Sequence, residues 1–584
     1  MSTPPDLTTD VLIIGSGPAG ASAALFLSTY GVDNLVVSKY RWTANTPRAH
    51  ITNQRTVEIM RDMGIEDQVK AKATPHHLIG DTVFCSSLAG EEIGRVRTWG
   101  THPQREADYV MASPSMNCDL PQHLFEPILV SAAAERGTRF RFDTEYLSLT
   151  QDDSGVTALV RDRSTGHEYR VRARYAIGAD GGRSKVAADL GLPMEGEMDV
   201  AGSMNIVFDA DLSHLVEHRP SVLYWVLQPG ATIGGIGLGL VRMVRPWNEW
   251  LVTWGYDIDQ PPPELDEAMA TEIVRGLVGD PSIPVTIRSM SLWGNNKMYA
   301  TRYRQGRVFI AGDAAHRHPP SNGLGSNTSI GDSYNLAWKL AHVLRGVAGE
   351  ALLDSYEAER APVGEQIVLR ANKSIEEFGA ILEALGVHET EDTEAMRAAI
   401  DSRRDATPEG ARKRELLRKA MELKNYEFNA LGVELGQRYA STAVVGDGTP
   451  EPEYTRDPEL HHHPTTWPGA RLPHAWLGRD GHKVSTHDLV GRGRFTVLTG
   501  LGGQPWVDAA AELGAELGVE VDAHLIGPGR PYTDLYDDWA RLSEIAEDGV
   551  LLVRPDAHVA WRSATLPEDP AARLRDALVA VLSR

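Results

Sequence analysis

A single aspartate, Asp313, stands between a short, mainly apolar run and a loop rich in proline and glycine. The run over residues 307–311 has the composition of a buried strand, and apolar residues recur at helical spacing over 329–345. The loop between them contains Pro319, Pro320, Gly323, Leu324 and Gly325. The sequence therefore predicts a strand, an acidic turn at Gly312-Asp313, a glycine loop and a helix.

This arrangement suits a ligand that needs both a carboxylate and the positive end of a helix. Ser326, Asn327 and Thr328 are candidate N-cap residues, and the free N–H groups of the first helical turn favour negative charge. A flavin fits both features, because a ribityl hydroxyl can bind the carboxylate and the N1/O2 side of the ring becomes negative on reduction. A plain strand–loop–helix crossover has the same pattern.

A second glycine motif lies at the N-terminus. Gly15, Gly17 and Gly20 form a G-x-G-x-x-G pattern, with Pro18 and Ala19 inside it, between a predicted strand at 10–14 and a predicted helix at 21–30. In that context Gly15 makes the tight turn, Gly17 lets the backbone meet a pyrophosphate, and Gly20 allows close helix–strand packing. The motif predicts dinucleotide binding.

One expected feature of that motif is missing. The acidic residue that usually follows the second strand and binds the ribose is absent, because Ser38-Lys39-Tyr40-Arg41 follows the predicted strand at 34–37. We therefore expect the ribose contact to come from Arg41 or from backbone groups.

A third turn with an aspartate follows the predicted strand at 175–179. Asp180-Gly181 precedes Lys185 and a short helix. Two strand ends with aspartates and one glycine motif would together form a single long cleft.

Two further polar segments precede helices. The loop 46–56 contains Arg48 and His50, and Asp119 stands just before a predicted helix at 120–134. Taken alone, His50 equally fits a structural histidine, Arg48 a surface ion pair, and Asp119 a helix N-cap.

The region 187–290 differs from the preceding residues in composition, with many aromatic residues and strand-like runs at 224–227, 233–243 and 250–256. The aromatic residues of interest are Trp225, Trp247, Trp250, Trp254 and Tyr256. They predict one wall of an apolar pocket, although an ordinary sheet core has the same composition. Arg242 and Arg245 interrupt this apolar region.

Composition limits the classes of function. The chain has 584 residues and a net charge of -22, which argues against a nucleic-acid partner. It has two cysteines, Cys85 and Cys118, no signal-peptide pattern and no apolar run long enough for a membrane span. His461-His462-His463 lacks partner ligands at regular spacing, so no metal site is predicted. We expect a soluble, cytoplasmic protein.

The fold class predicted is α/β, with a Rossmann-type dinucleotide domain, an α+β sheet domain for the substrate and a thioredoxin-like C-terminal domain without C-x-x-C. The predicted limits are 1–186 with 291–365, then 187–290, a helical connection over 366–445, and 446–584. For parts of residues 75–115, the prediction leaves open whether they belong to the first domain or to the substrate domain.

The three glycine motifs together resemble those of the class A flavoprotein aromatic hydroxylases over about the first 365 residues. Pro47-Arg48-Ala49-His50, His316-Arg317-His318-Pro319 and the loop 323–329 are similar to the phenol hydroxylase subgroup, whose members also carry a thioredoxin-like C-terminal domain. The resemblance implies FAD as the cofactor and NAD(P)H and O2 as cosubstrates. It also implies a small phenol, hydroxylated ortho to its hydroxyl through a flavin C4a-hydroperoxide, and a homodimer or larger homo-oligomer.

The resemblance further implies roles for individual residues. His50 would be the base that ionises the phenol, Asp119 would orient it, and Arg242 would steer the cofactor or the substrate. Trp225, Tyr256 and Pro319 would contact the substrate with His50. The implied FAD-binding residues are Gly15, Gly17, Pro18, Ala19, Gly20, Lys39, Arg41, Arg48, Gln122, Asp180, Gly181, Gly312, Asp313, Pro320, Gly323, Leu324, Gly325, Ser326 and Asn327.

Other functions remain open at this point. The same flavin motifs occur in hydroxylases of larger aromatic polyketides and antibiotics. A non-oxygenating FAD oxidoreductase and a flavin- or ligand-binding protein without turnover are further alternatives.

Overall fold

Two large sheets and a smaller C-terminal sheet organise the computed structural model, which describes residues 6–228, 239–387 and 392–584. The first part of the chain contains β1 (Leu7–Ile14), α1 (Pro18–Thr29), β2 (Asn34–Val37), β3 (Ile51–Thr52), α2 (Gln54–Asp62), α3 (Glu66–Lys72), α4 (His76–Ile79), β4 (Thr82–Cys85), β5 (Glu92–Val96), α5 (Pro103–Ala112), β6 (Cys118–Asp119), α6 (Gln122–Glu135), β7 (Arg139–Arg141), β8 (Thr144–Asp152), β9 (Gly155–Asp162), β10 (Glu168–Gly178) and α7 (Lys185–Leu190).

The middle of the chain adds a long antiparallel strand pair, Met194–Asp209 with Thr286–Ala300, and the two longest helices of the described residues. Its elements are β11 (Met194–Asp209), α8 (Ser213–Val216), β12 (Leu223–Val226), β13 (Gly239–Arg245), β14 (Glu249–Tyr256), α9 (Glu267–Val278), β15 (Thr286–Ala300), β16 (Arg304–Gln305), β17 (Val308–Ile310), β18 (His316–Arg317), α10 (Gly325–Leu344) and α11 (Asp354–Glu376).

The last part contains a helical segment and the C-terminal sheet. Its elements are α12 (Phe378–Leu385), α13 (Thr393–Asp401), α14 (Pro408–Leu423), α15 (Asn425–Phe428), α16 (Leu431–Leu435), β19 (Trp476–Arg479), β20 (His482–Ser485), β21 (Phe495–Thr499), α17 (Gln504–Leu517), β22 (Val521–Leu525), β23 (Thr533–Asp534), α18 (Asp538–Leu542), β24 (Val550–Val553), β25 (Val559–Ser563) and α19 (Pro570–Val581).

The first sheet is the dinucleotide-type sheet that the sequence predicts. Strands β7, β2, β1, β10 and β17 lie side by side and run parallel, with β16 antiparallel at one edge. Val11 to Ile14 are all buried, as expected of a strand covered on both faces. Residues 139–152 form two strands, because β7 joins the parallel sheet and the chain turns at Asp143, whose φ is 53°, before β8.

The second sheet has eight strands in the order β18-β15-β11-β14-β13-β12-β4-β5. It takes β4 and β5 from the region 75–115. The predicted limit at residue 290 falls inside β15, which pairs with β11 as far as Ala300, so this sheet continues past that limit. The first half of the predicted strand at 233–243 lies outside the described residues; the second half is the start of β13.

The C-terminal sheet has the order β22-β21-β24-β25, with β21 and β22 parallel and joined by α17. This is the thioredoxin-like arrangement that the sequence predicts. Cys85 and Cys118 are both free and buried outside this domain. Among the residues that the structure describes, no helix is long and apolar enough to cross a lipid bilayer.

The C-terminal domain packs directly on helix α10. The ring of Phe495 meets Trp338 of α10 edge-on at 5.8 Å. Beside them, Arg554 donates two hydrogen bonds to Glu359 of α11, at 2.6 and 2.8 Å, and Lys339 of α10 donates a third at 2.8 Å. The helix that follows the glycine loop is therefore held from behind by the last domain.

Candidate active site

Three turns follow the carboxyl ends of neighbouring parallel strands, and these strand ends are in register with one another. Ile14 pairs with Gly178, and Gly178 pairs with Ile310, so the turns at Gly15, Asp180 and Gly312 follow neighbouring strand ends. Because carboxyl ends of parallel strands meet at one sheet edge, this is where ligands of such sheets bind. The structure brings the three predicted motifs together in one cleft.

The glycines of the first turn differ in what surrounds them. Gly15 has a φ of 110°, and a Cβ there would collide with the carbonyl of Ala179. A Cβ on Gly20 would collide with the carbonyl of Gly15. Gly17 faces open space, where the nearest group is the Glu126 carboxylate at 3.9 Å from a Cβ position. The open position is thus the one at which the sequence predicts a pyrophosphate.

Two helices present uncapped N-termini to this cleft. Helix α1 begins at Pro18, after Gly17, without a side-chain cap, and Ala19 packs against Gly312. Helix α10 begins after Leu324, also without a side-chain cap, so Gly325 and Ser326 lie in its first turn. Free N–H groups at both ends favour an anionic ligand.

The predicted N-cap at residues 326–328 is therefore wrong. Asn327 lies inside the helix and is buried; it donates to the carbonyls of Ile51 and Gly323 at 2.8 and 2.6 Å and accepts from the Asn53 N–H at 3.0 Å. It joins the glycine loop to the His50 loop. Gly323 has a φ of 64° and lies against Ile51, while Pro320 precedes the short helical turn Ser321–Gly323.

The Asp313 carboxylate accepts no hydrogen bond from any residue that the structure describes. It reaches solvent at the bottom of the cleft, yet the surrounding protein raises its pKa, an effect that His316, Arg317 and Arg48 oppose. An acidic side chain that is accessible to solvent and has no protein partner fits a ligand hydroxyl.

Asp180 uses its carboxylate within the protein. It accepts from Ser184 Oγ at 2.5 Å and from the N–H groups of Lys185 and Val186 at 2.7 and 3.1 Å, which caps α7. Gly181 next to it has a φ of 86° and no neighbour in the space of a Cβ. Asp180 and Asp313 lie on the same side, since both raise the pKa of Arg317, which burial lowers.

Four other predicted FAD-binding residues fall into two groups. Arg48 is exposed in the cleft, and its charge acts on both Asp313 and Glu126. Gln122 lies at the start of α6, donates to Glu126 at 2.5 Å and binds the Ala49 carbonyl through its N–H at 2.7 Å. Lys39 and Arg41 are exposed; Lys39 lies over the Tyr40 ring, and Arg41 is 3.8 Å from Asp143.

Sequence reasoning missed Glu126. This carboxylate is buried beside Gly17 and accepts from the Ala44 N–H at 2.6 Å and from Gln122, and burial raises its pKa. No acidic residue follows the second strand β2 directly, and Glu126 instead places a carboxylate next to the glycine turn. The signal was the spacing of Gln122 and Glu126 on one face of a helix.

His50 and Asp119 meet across the two-stranded ribbon of β3 and β6. Ile51 pairs with Asp119, and the Leu120 N–H donates to the His50 carbonyl at 2.6 Å. His50 Nδ1 lies 2.6 Å from Asp119 Oδ1, and Thr74 Oγ1 donates to Asp119 Oδ2 at 2.6 Å. Asp119 is fully buried and does not cap α6, whose N-cap is Pro121.

The environment keeps the His50 imidazole neutral. Burial and then the charge of Arg242 lower its pKa, while Asp119 raises it. When Nδ1–H donates to Asp119, Nε2 carries the lone pair. No described residue bonds this Nε2. The arrangement can accept a proton at Nε2.

Arg242 is buried on β13 and close to His50. Its Nη1 donates to the Arg48 carbonyl at 2.5 Å, whereas Nε and Nη2 have no protein partner. Burial lowers the pKa of its guanidinium to about 10, against the opposing effect of Asp119 and Glu249. It remains a cation at neutral pH with two nitrogens free to bind a ligand.

The predicted single aromatic wall is wrong. Arg242 pairs with Leu223 and Leu251, so it shares a sheet face with Trp225 and Thr253. Trp250, Trp254 and Tyr256 alternate with that set on β14 and lie on the opposite face. Tyr256 packs its ring over Gly202, so it does not accompany Arg242.

Polar residues that the sequence reasoning missed share the face of Arg242. Thr253 donates to Asn205 at 3.0 Å, and Asn295 donates to Ser203 at 3.0 Å. Both pairs lie in the middle of the sheet among largely apolar strands. Their signal was the alternation of Ser203 and Asn205 with Met204 and Ile206. Pro319, by contrast, is buried, and its carbonyl lies 2.6 Å from His318 Nδ1.

The cleft thus offers the features that flavin adenine dinucleotide requires. They are the open turn at Gly17, the N-termini of α1 and α10, the unpartnered carboxylate of Asp313 and the exposed Arg48. Residues 8–371 match the family model described as an FAD binding domain, and residues 465–584 match the one described as aromatic-ring hydroxylase, C-terminal.

The relatives agree over the whole chain. The 2,4-dichlorophenol 6-monooxygenase of Delftia acidovorans is 56% identical over 99% of this chain and 98% of its own. The phenol 2-monooxygenase of Pseudomonas sp. (strain EST1001) is 57% identical over 98% and 92%. The flavin-dependent monooxygenase PieE, solved with FAD and substrate, superposes with a TM-score of 0.94 at 47% identity, covering 99% and 100%. This chain therefore belongs to the FAD-binding aromatic-ring hydroxylases and is a flavin-dependent monooxygenase.

Proposed function

We propose that this protein hydroxylates a small phenol at the carbon ortho to its hydroxyl group, with NAD(P)H and O2 as cosubstrates. The observation that carries the proposal is the hydrogen-bonded series Thr74–Asp119–His50, which ends in a free Nε2 close to Arg242. The two relatives at 56% and 57% identity, which are named for a chlorophenol and for phenol, support the same substrate class.

The need for a base follows from the chemistry of the substrate. A phenol with a pKa of about 10 is ionised to roughly one part in a thousand at pH 7, a deficit of about 4 kcal/mol. Its phenolate is the electron-rich form that attacks activated oxygen. A neutral histidine in contact with the hydroxyl recovers much of that deficit.

In the proposed reaction His50 takes the phenol proton at Nε2. Asp119 holds the Nδ1–H, which fixes the tautomer and stabilises the imidazolium that forms. Thr74 in turn holds the second oxygen of Asp119. The proton thus remains on His50, while Asp119 stays buried and hydrogen-bonded to Nδ1.

The residues that would hold FAD are those of the cleft. The turn at Gly17 and the N-terminus of α1 would take the pyrophosphate, Asp313 a ribityl hydroxyl, and the N-terminus of α10 the N1/O2 side of the ring. Bound FAD supplies electron transfer from NAD(P)H and the activation of O2. Arg48 would neutralise phosphate charge near Asp313 and Glu126.

Arg242 would position the substrate or cosubstrate from the sheet side. Its Nε and Nη2 have no protein partner and its charge acts on His50, so a developing phenolate there gains a cationic neighbour. Trp225 shares this face, and Pro319 lies in the loop after Asp313; both would limit the space for the ring.

A panel of phenols tests the proposal. Product mass, oxygen uptake and NAD(P)H oxidation are measured together on the purified holoenzyme. We expect one hydroxylated product per NAD(P)H with at least one simple phenol. Oxidation of NAD(P)H without oxygen uptake would favour a non-oxygenating oxidoreductase, and hydroxylation of polycyclic aromatics alone would favour a polyketide-type hydroxylase.

Two further predictions concern the setting of the enzyme. We predict a cytoplasmic protein, which agrees with two free, buried cysteines. We also predict a homodimer or larger homo-oligomer, and light scattering on the purified protein measures that state.

A further inference from the structure

A second large groove is separated from the candidate active site by the segment that contains Trp99. It is bounded by β5, which is the edge strand of the second sheet, by helix α14 and by the first turn of α5. Its volume is about 840 Å³, within the range of roughly 300–1,000 Å³ typical of ligand sites. None of its lining residues belongs to the FAD cleft described above.

The charge of this groove is opposite to that of the chain. The whole protein has 58 basic and 80 acidic side chains, yet seven arginines and three glutamates line the groove. All seven cations are arginines, whose planar fork binds phosphate through two parallel hydrogen bonds. An ordinary solvated face of this chain would carry an excess of carboxylates.

Six of the seven arginines pair with carboxylates within or beside the groove, and Arg414 is the exception in the described part of the chain. Arg414 donates through Nη1 to the carbonyls of Arg403 and Asp405, at 2.7 and 3.1 Å, and no carboxylate in the described part of the chain pairs with it. Arg97 pairs with Asp81 through Nη1 alone, and its side chain is 41% exposed. Donors on both guanidinium groups remain open to a ligand.

The floor of the groove is apolar. Ile93, Val96, Leu417 and Met421 line it and are buried. A flat heterocycle packs well on such a floor, and the Met421 sulfur can contact an aromatic ring. The combination of arginines and an apolar floor suits a ligand with an aromatic base and phosphate groups.

We propose that this groove binds a phosphorylated adenine nucleotide, the chemistry shared by reduced nicotinamide cosubstrates and free adenine nucleotides. Assigning it to the cosubstrate rests on the function proposed above. The groove and the candidate active site share one wall, because Trp99 follows Arg97 by two residues and meets the His50 ring edge-on at 6.4 Å.

Calorimetry of the FAD-loaded enzyme with 2′,5′-ADP tests the site without turnover. We expect saturable binding at low ionic strength that weakens at about 1 M salt, where the Debye length is about 3 Å. The double variant Arg97→Gln/Arg414→Gln should bind about tenfold or more weakly, because it removes the two guanidinium groups whose donors remain open. The control Arg412→Gln/Lys419→Gln removes the same charge from α14 outside the groove and should bind as the wild type does.

Kinetics then distinguish the two sources of the ligand. A KM for NADPH that rises with the loss of 2′,5′-ADP binding, at unchanged kcat, identifies the cosubstrate; an unchanged KM identifies a free nucleotide. Absence of saturable binding to the wild-type holoenzyme, or an equal loss in the control variant, overturns the proposal. Because binding is measured without phenol, failure of the hydroxylation proposal would leave this result unaffected.

Discussion

His50 is the side chain on which the proposed reaction depends most directly. His50→Ala should lower kcat for hydroxylation by about 10²- to 10⁴-fold, the usual contribution of a general base. FAD should stay bound, because the hydrogen bond of the imidazole is to Asp119 and not to the three turns of the cleft. Product mass and flavin absorbance measure the two effects. The exposed His482 provides a control, since His482→Ala should keep full activity; full hydroxylation by His50→Ala would refute the assignment.

Asp119 gives a second prediction, because its charge acts on the pKa of His50. Burial and Arg242 lower that pKa below the ordinary 6.5, so the acid limb of kcat/KM should lie below pH 6.5. Asp119 opposes this shift. Asp119→Asn should therefore move the limb to lower pH and also lower the plateau, because the imidazole becomes a weaker base. A limb that moves to higher pH contradicts the proposed pair.

At the scale of elements, the turn between β1 and α1 carries the most specific geometry. Gly17 has a φ of -70° and faces open space, so an alanine there is unstrained and its methyl group enters the space predicted for pyrophosphate. Gly17→Ala should weaken FAD binding by about tenfold or more, equivalent to about 1.4 kcal/mol. Fluorescence of released FAD measures this. Gly446→Ala, at another open glycine, should change nothing; equal affinity in both variants would exclude the assigned role.

The strand ends and glycine turns could be predicted from sequence because their signals are local. An apolar run followed by Gly15 or by Gly312-Asp313 defines both the strand and its turn. Parallel pairing then follows from the class of fold, and it places the turns at one edge. This is why the arrangement of the three turns at one edge of the sheet was predicted correctly.

The sheet faces could not be predicted in the same way. Alternation within a strand shows that Trp250 and Tyr256 share a face, but not that Arg242 lies on the other one, since that depends on pairing with β13. Likewise, α10 begins at Gly325, and Asn327 lies inside the helix with its side chain bonded to Ile51, which is far away in sequence. Each of these errors concerns a feature that is determined by contacts between residues far apart in the sequence.

At the scale of the whole molecule, a buried cluster of charged side chains joins the C-terminal domain to helices α10 and α11. Arg554 and Glu359 have no exposed side-chain surface and form two hydrogen bonds, with Asp556 and Lys339 as further partners. Removing one member of a buried pair leaves the other charge uncompensated, at a cost of about 3–5 kcal/mol. Arg554→Met should therefore lower the unfolding temperature and release FAD at a lower temperature. The exposed Arg573→Met is the control. Unfolding of Arg554→Met at the wild-type temperature would mean that the cluster does not brace α10.

A second group between the domains makes stability depend on pH. Glu434 on α16 is buried against a small cavity that Arg360, Gln437 and Tyr439 also line. No described residue bonds its carboxyl group, and burial alone raises its pKa from 4.5 to about 8. The folded state therefore holds a proton that the unfolded chain loses above pH 4.5, so the free energy of unfolding falls as the pH rises from 4.5 to 8.

Glutamine has the same shape as the protonated side chain and cannot ionise. Glu434→Gln should raise the unfolding temperature, by little near pH 5 and by most near pH 8, above which the difference becomes constant. Calorimetric scans of both proteins at pH 5, 6, 7 and 8 measure this trend. The exposed Glu409→Gln is the matched control and should show no such trend. A stabilisation by Glu434→Gln that is equal at all four values would show that Glu434 is ionised in the folded protein, and that its cavity supplies a partner for the charge.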